Sequence, residues 1–427
     1  MRRNAALTMI ALAILLSGCG TVSTPTAVAP TTSSSVVTRT TSGPPVARET
    51  RNPGAPEAQH APTRRFLAEP QAGITPWLAA IQEAQHRIDI NEYLLTDPML
   101  MDALRQAAQR GVAVEVLIAG QPYRDASAVS TTESTFSGSG VQLKTAPARF
   151  EGAYAYDHAK YLVVDPGTPH ALALLGSPNG TVSAFGGDNL EDAVQVRGGA
   201  IPSALATVFH ADWTGQPAGP APRQVLVLSP GSKNALVALL RTPGPIAVTA
   251  EELGDAPALY QALVQHGSQA RVLVPASLSG SERARAAALV HAGVQVHTLA
   301  TPYVHAKLIV TATGTFVGSQ NFSVVSLQDN REVGVVLASL AIRQQALAWF
   351  NAAWGKSTAW GAAVSSTHKT WPYLPLHDSF TAVRALWGSP TSIRHSTYHG
   401  TPQVVWVYPR GQVDFEHGHV VAVQRGG

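Results

Sequence analysis

Tyr156-Asp157-His158-Ala159-Lys160 with Gly176-Ser177-Pro178-Asn179, and Tyr303-Val304-His305-Ala306-Lys307 with Gly318-Ser319-Gln320-Asn321, are two copies of one pattern. His158 to His305 is 305 − 158 = 147 residues, and Asn179 to Asn321 is 321 − 179 = 142 residues. Similar offsets at unrelated positions indicate an internal repeat. A third element recurs after each asparagine, as Asn189-Leu190-Glu191 and as Asn330-Arg331-Glu332.

Working outward from the first copy, apolar periodicity predicts a helix over 74–85, a strand over 87–95, an amphipathic helix over 98–110 closed by Gly111, and a buried strand over 112–118. After a Ser/Thr/Gly-rich loop come strands near Val141, Tyr161, Leu172 and Ala193, then a helix over 201–213. The same order returns as a strand over 246–250, a helix over 256–266, a strand over 270–275 and a helix over 281–293. Strands near Val294, Leu308, Thr315 and Val333 and a helix over 342–354 complete it. The fold class expected is therefore α/β, with two similar repeats followed by a small α+β domain.

Residues two apart on a strand share a face, so His158 and Lys160 should point together, as should His305 and Lys307, Ser177 and Asn179, and Ser319 and Asn321. Asp165 is an odd seven positions from His158 and should face the other way. Its counterpart in the second copy is Ala312, a loss expected to touch packing or loop anchoring more than chemistry. If the two copies face each other, one imidazole can attack phosphorus while the other protonates the departing oxygen. Lys160 and Lys307 with the amides of Asn179 and Asn321 supply donors for the nonbridging oxygens. Glu191 and Glu332 can each accept a spare imidazole N–H and fix its tautomer.

Both copies resemble the HxK…GSxN signature of the phospholipase D superfamily, the likeness running through both repeats. The first copy keeps His158, Lys160 and Asp165, and the second departs at Ala312. The resemblance implies two α/β halves about a pseudo-twofold axis, one active site between them, and no metal or other cofactor. By analogy His158 is the nucleophile and His305 the acid/base; the residues themselves leave the reverse assignment open. Ser177 and Ser319 sit in no Gly-x-Ser-x-Gly elbow, which argues against a serine hydrolase. His395 with His399, and His417 with His419, lack a carboxylate or cysteine partner at ligand spacing.

The chain has 427 residues, 13% of them charged, and a formal charge of +3, which falls to 3 − 2 = +1 without Arg2 and Arg3. Such a balance gives no broad electrostatic case for nucleic acid, which is held through many Lys and Arg contacts to phosphate. Arg2-Arg3, an apolar run over 5–16 and small residues form a secretory leader, and Leu16-Ser17-Gly18-Cys19 resembles a bacterial lipobox. Residues 1–18 are thus expected to be a lipoprotein signal peptide, with Cys19 acylated, and Gly20 after it resembles forwarding to the periplasmic face of the outer membrane. Residues 19–63 are rich in Thr, Ser and Pro and read as a flexible tether. Residues 64–219 and 220–356 form the repeats, and 357–427 a helix-plus-hairpin domain.

That tail, with Leu386-Trp387-Gly388-Ser389-Pro390-Thr391, Val405-Trp406-Val407-Tyr408 and Val413-Asp414-Phe415, resembles the small domain of outer-membrane lipoproteins in the barrel-assembly machinery, which implies binding of an envelope protein. The whole reads as a membrane-anchored phosphodiesterase acting on phospholipid. A nuclease and a catalytically inactive envelope scaffold are the alternatives.

Overall fold

A computed structural model describes residues 62–361 and 379–425, apart from 124, 153, 154, 399, 400, 409, 410 and 417. The expected signal peptide, Cys19 and nearly all of the tether lie outside the described residues. Among the described residues no helix is long and apolar enough to cross a membrane.

The strands of the first half are β1 (Thr63–Ala68), β2 (Arg87–Glu92), β3 (Ala113–Ile118), β4 (Gln142–Thr145), β5 (Lys160–Val164), β6 (Leu172–Gly176), β7 (Asn189–Leu190) and β8 (Asp192–Arg197). Its helices are α1 (Thr75–Glu83), α2 (Pro98–Gln109), α3 (Ala126–Phe136), α4 (Val182–Phe185) and α5 (Ala200–Trp213). The second half has strands β9 (Val227–Ser229), β10 (Ile246–Thr249), β11 (Ala270–Pro275), β12 (Gln295–Leu299), β13 (Tyr303–Val304), β14 (Ile309–Val310), β15 (Thr315–Gly318), β16 (Glu332–Leu337) and β17 (Thr358–Ala359). Its helices are α6 (Lys233–Leu240), α7 (Pro257–Val264), α8 (Gly280–His291), α9 (Val324–Gln328) and α10 (Leu340–Trp354).

Local chemistry accounts for the elements that position the site. The Asp97 carboxylate accepts from the N–H groups of Met99 and Leu100, Pro98 opens α2, and Leu100, Met101, Leu104 and Ala107 form its buried stripe. The chain leaves α2 through Gly111, at φ +90°, and enters β3. The Ser/Thr-rich stretch expected to be loop is instead α3. Asp125 caps it, and Thr132 donates to the carbonyls of Ala128 and Leu95, so hydroxyls that would compete with a helix tie this one to the strand β2 loop. β1 and α6 also escape the sequence pattern; the first is an edge strand beginning with exposed Thr63, Arg64 and Arg65.

The first sheet runs β1-β8-β6-β5-β2-β3-β4, and the second, read from its other edge, β9-β16-β15-β14-β10-β11-β12-β17. The two orders correspond strand for strand, with β17 added. In each, three strands are parallel (β2, β3, β4 and β10, β11, β12) and the rest antiparallel. One shared core lies between the halves and includes Tyr161, Val163 and Leu175 of the first, Leu308, Val317 and Val335 of the second, and residues of α5 and α10. Outer cores pack α1 and α2 on the first sheet and α6, α7 and α8 on the second.

Two short backbone connections stitch the halves together at the strand ends. β7 pairs in parallel with β13, and Asp157 bridges Arg331 in the same sense. The second is the first with the halves exchanged.

The tail contains α11 (Phe380–Trp387) and strands β18 (Ser392–Tyr398), β19 (Thr401–Tyr408), β20 (Gly411–Glu416) and β21 (His419–Arg425), ordered as a meander. Val383, Trp387, Trp406, Tyr408, Val413, Phe415 and Val420 form its own core.

Candidate active site

Sequence parity puts the reactive residues inside strands, and here the structure corrects the reading. β5 begins only at Lys160, and His305 falls between β13 and β14. Ser177–Asn179 and Ser319–Asn321 follow the last residues of β6 and β15, Gly176 and Gly318. Both histidines and both asparagines therefore sit on loop ends at the rims of the two sheets, where side chains are free of the flat sheet surface. Glycine is required at these exits. A Cβ on Gly176 would lie 2.2 Å from the Asp192 carbonyl oxygen, and one on Gly318 2.6 Å from the Gly334 Cα.

The inter-half connections decide each histidine's partner. His158 donates its backbone N–H to the Arg331 carbonyl (2.8 Å), and Arg331 returns one to the Tyr156 carbonyl (2.9 Å). In the mirror arrangement His305 and Ala306 donate to the Leu190 carbonyl at 3.1 and 2.9 Å. Each imidazole consequently reaches the carboxylate of the opposite half. His158 Nδ1 lies 2.9 Å from Glu332 Oε2, and His305 Nδ1 lies 2.7 Å from Glu191 Oε1 and 2.8 Å from its Oε2. The Arg331 segment is braced by a buried bidentate pair with Asp212, at 2.7 and 2.9 Å, and by donation to the Ser229 carbonyl.

Supporting bonds fix the carboxylates. Asn189 Nδ2 donates to Glu191 Oε1 (3.1 Å) and Asn330 Nδ2 to Glu332 Oε1 (3.0 Å). Ser177 donates to Glu191 Oε2 at 2.5 Å, whereas in the second half Ser326, not Ser319, donates to Glu332, at 2.7 Å. Ser319 turns to the backbone of Val333. Burial disfavours both carboxylates, but the neighbouring His305 and Lys307 hold Glu191 below the usual range, and His158 and Lys160 do the same for Glu332. Burial pushes His158 down despite Glu332, so an ionised Glu332 accepts from a neutral imidazole whose Nε2 lone pair is free.

Lys160 and Lys307 are buried, and each Nζ donates to the carbonyl of the histidine two residues before it, at 2.7 and 2.5 Å. Burial first, then Lys307, lowers Lys160 to about 8. The side-chain oxygens of Asn179 and Asn321 are buried without a protein partner, among the described residues, and neither Nδ2 is spent on another protein group. Lys307 also appears among the charges that disfavour a proton on His158, so the cationic groups of the two halves converge.

Asp165 lies at the far end of β5 from this cleft, at φ +47°, and its carboxylate accepts from the N–H groups of Gln85, His86 and Arg87 at 2.7–2.9 Å. It anchors the turn into β2. In the second half the turn around Ala312 is held by the Thr311 hydroxyl, which accepts from Thr313 and Gly314.

Two site residues escaped the sequence reading. Glu92 pairs in register with Lys160, and continuing the Ala247–Val310 and Val248–Ile309 register past β10 places Ala250 opposite Lys307, so Tyr93 and Glu251 are counterparts. Tyr93 packs edge-on against His158 (4.8 Å between centroids) and lies 5.1 Å beneath the Lys160 Nζ. Glu251 bonds Lys307 at 2.6 Å. Aligning the two repeats outward from their histidines would have exposed this mismatch.

Comparison with known proteins identifies the family. The family model described as "Cardiolipin synthase, PLD-like domain" matches residues 77–213 and 249–354, more than half of the chain. The chain belongs to the phospholipase D-like family. Members of this family act on phosphodiester bonds. Solved structures similar to it include phosphatidylserine synthase from Haemophilus influenzae Rd KW20, at 12% identity and a TM-score of 0.55, covering 69% of this chain and 87% of that one. Polyphosphate kinase from Porphyromonas gingivalis is similar at 15% identity and a TM-score of 0.52 over 73% of this chain. The match spans about half of the kinase, 53% of its length. At such identities these likenesses speak to the fold alone. No curated protein sequence matches the chain.

Proposed function

We propose that this protein is a membrane-anchored phosphodiesterase of the phospholipase D type, cleaving or transferring a phospholipid phosphodiester through a phosphohistidine. The observation that carries the reading is the crossed pairing of two imidazoles with two carboxylates beside two buried lysines. His158 Nε2 attacks phosphorus, and the P–N bond forms as the bond to the leaving oxygen breaks. His305 gives its proton to that oxygen, then takes one from the water or alcohol that cleaves the P–N bond. Glu332 holds the His158 tautomer and Glu191 stabilises the imidazolium of His305. Lys160, Lys307, Asn179 and Asn321 offer donors to the nonbridging oxygens.

The lipobox-like Leu16-Ser17-Gly18-Cys19 supports the choice of lipid, because a tether on Cys19 would raise the local concentration of a membrane substrate. Its site of action would be the periplasmic face of the outer membrane, with the tail contacting an envelope protein. The test incubates the full chain, and its H158N variant, with phosphatidylcholine vesicles and separately with plasmid DNA. Release of choline by the wild type alone is expected, with transfer to ethanol if it is present. Cleavage of DNA without lipid turnover would replace the lipid reading by a nuclease. Inertness toward both would leave an envelope scaffold.

A further inference from the structure

Glu251 is a carboxylate inside a cleft built to hold an anion. Its Oε2 lies 2.6 Å from Lys307 Nζ and 3.6 Å from His305 Nε2, the two groups that would otherwise face a phosphoryl oxygen. Its Oε1 accepts from the Tyr303 hydroxyl at 3.4 Å. The side chain is 19% exposed. Burial works against its charge, yet His305, Lys307 and His158 keep the carboxyl well below the usual range, so it stays an anion. At the equivalent position the first half carries Tyr93, and its buried carboxylate near Lys160, Glu92, accepts from the Gly180 N–H instead.

We propose that Glu251 is a specificity-determining residue that neutralises Lys307 in the cleft and weakens its hold on dianionic phosphomonoesters more than on monoanionic phosphodiesters. The inference rests on the phosphodiesterase reading above and deepens it. Two lysines in a buried cleft attract a dianion more strongly than a monoanion, because Coulomb energy scales with charge and is weakly screened there. Hydrolysis of a diester makes a monoester, so a cleft with only Lys160 and Lys307 would hold its product more tightly than its substrate. A carboxylate on Lys307 narrows that preference, since its repulsion also scales with the ligand's charge. The monoester, with its second charge, therefore feels the Glu251 repulsion about twice as strongly as the diester does.

The experiment measures binding of inorganic phosphate and of dimethyl phosphate to the full chain by calorimetry at pH 8, where phosphate is mostly dianionic. E251Q should bind phosphate at least about tenfold more tightly, while dimethyl phosphate gains much less. E251Y, carrying the residue of the other half, should behave like E251Q, and melting curves establish that both variants fold. In turnover, E251Q should show product inhibition and a burst followed by slow release. An unchanged ratio of the two affinities in both folded variants overturns the proposal. A changed ratio in a protein that cleaves no diester would sink the enzymatic reading and leave the anion selectivity standing.

Discussion

The two halves carry the same strand order and the same His, Lys, Asn and Glu set, yet the walls behind their lysines differ. Tyr93 gives Lys160 and His158 an aromatic face, whereas Glu251 gives Lys307 and His305 a negative charge. The carboxylate supports differ too, with Ser177 serving Glu191 and Ser326 serving Glu332. The shared residues make one chemistry possible. The unshared ones make the surroundings of the two histidines unequal, as the proposed nucleophile and acid would need, since one imidazole would be a free base while the other holds a proton.

The largest effect expected is from the histidines. H158N should lower turnover by about 10⁴-fold or more and abolish the covalent intermediate, seen as loss of acid-labile phosphate on the protein. H305N should cost about 10²–10⁴-fold with an alkoxide leaving group but far less with 4-nitrophenolate, which needs no proton. Equal losses on both substrates would erase the distinction between the halves.

Next come the crossed carboxylates. E332Q and E191Q should each reduce kcat by about 10²–10⁴-fold, as removal of a histidine-orienting carboxylate does elsewhere. Double-mutant cycles sharpen the point, because His158 should couple to Glu332 and His305 to Glu191, with coupling of about 0.5–3 kcal/mol for groups in contact, and the uncrossed pairs should couple less.

A pH effect reports on Lys160. Burial places Lys160 at about 8, so its charge is present below that value and lost above it. Anion affinity should therefore fall as pH rises through 8, visible as a rising KM for a diester, and K160R should move that fall to higher pH, since arginine keeps its charge.

The smallest effects lie at the far turns. Removing the Asp165 carboxylate leaves three N–H groups without their acceptor, and D165A should cost about 1–3 kcal/mol of stability in a denaturant titration with little change in rate. A312D should alter rate and melting temperature hardly at all, because Thr311 already holds that turn. A large loss of rate in A312D would show that the two turns are not equivalent supports.

Much of this was legible in the chain. Offsets near-equal at His158/His305 and Asn179/Asn321 reveal the repeat, and apolar runs such as 112–118 and 270–275 mark the central strands, since burial on both faces demands it. What escaped did so for physical reasons. The Ser/Thr-rich α3 has poor helix propensity, overridden by the Asp125 cap and by Thr132 reaching Leu95. The loop placement of His158 and Asn179 was hidden because a strand period continues smoothly past a strand's last hydrogen bond. Glu251, in Ala250-Glu251-Glu252, looks like an ordinary polar strand end until the sheet register sets it opposite Tyr93.

By itself the sequence determined the repeat and the reactive residue types, because these are properties of order along a chain. Only the tertiary structure decided which carboxylate meets which imidazole. The short pairings of β7 with β13 and of Asp157 with Arg331 carry each histidine across to the other half. Those backbone bonds link residues more than a hundred positions apart, and no local pattern records a contact made at that range.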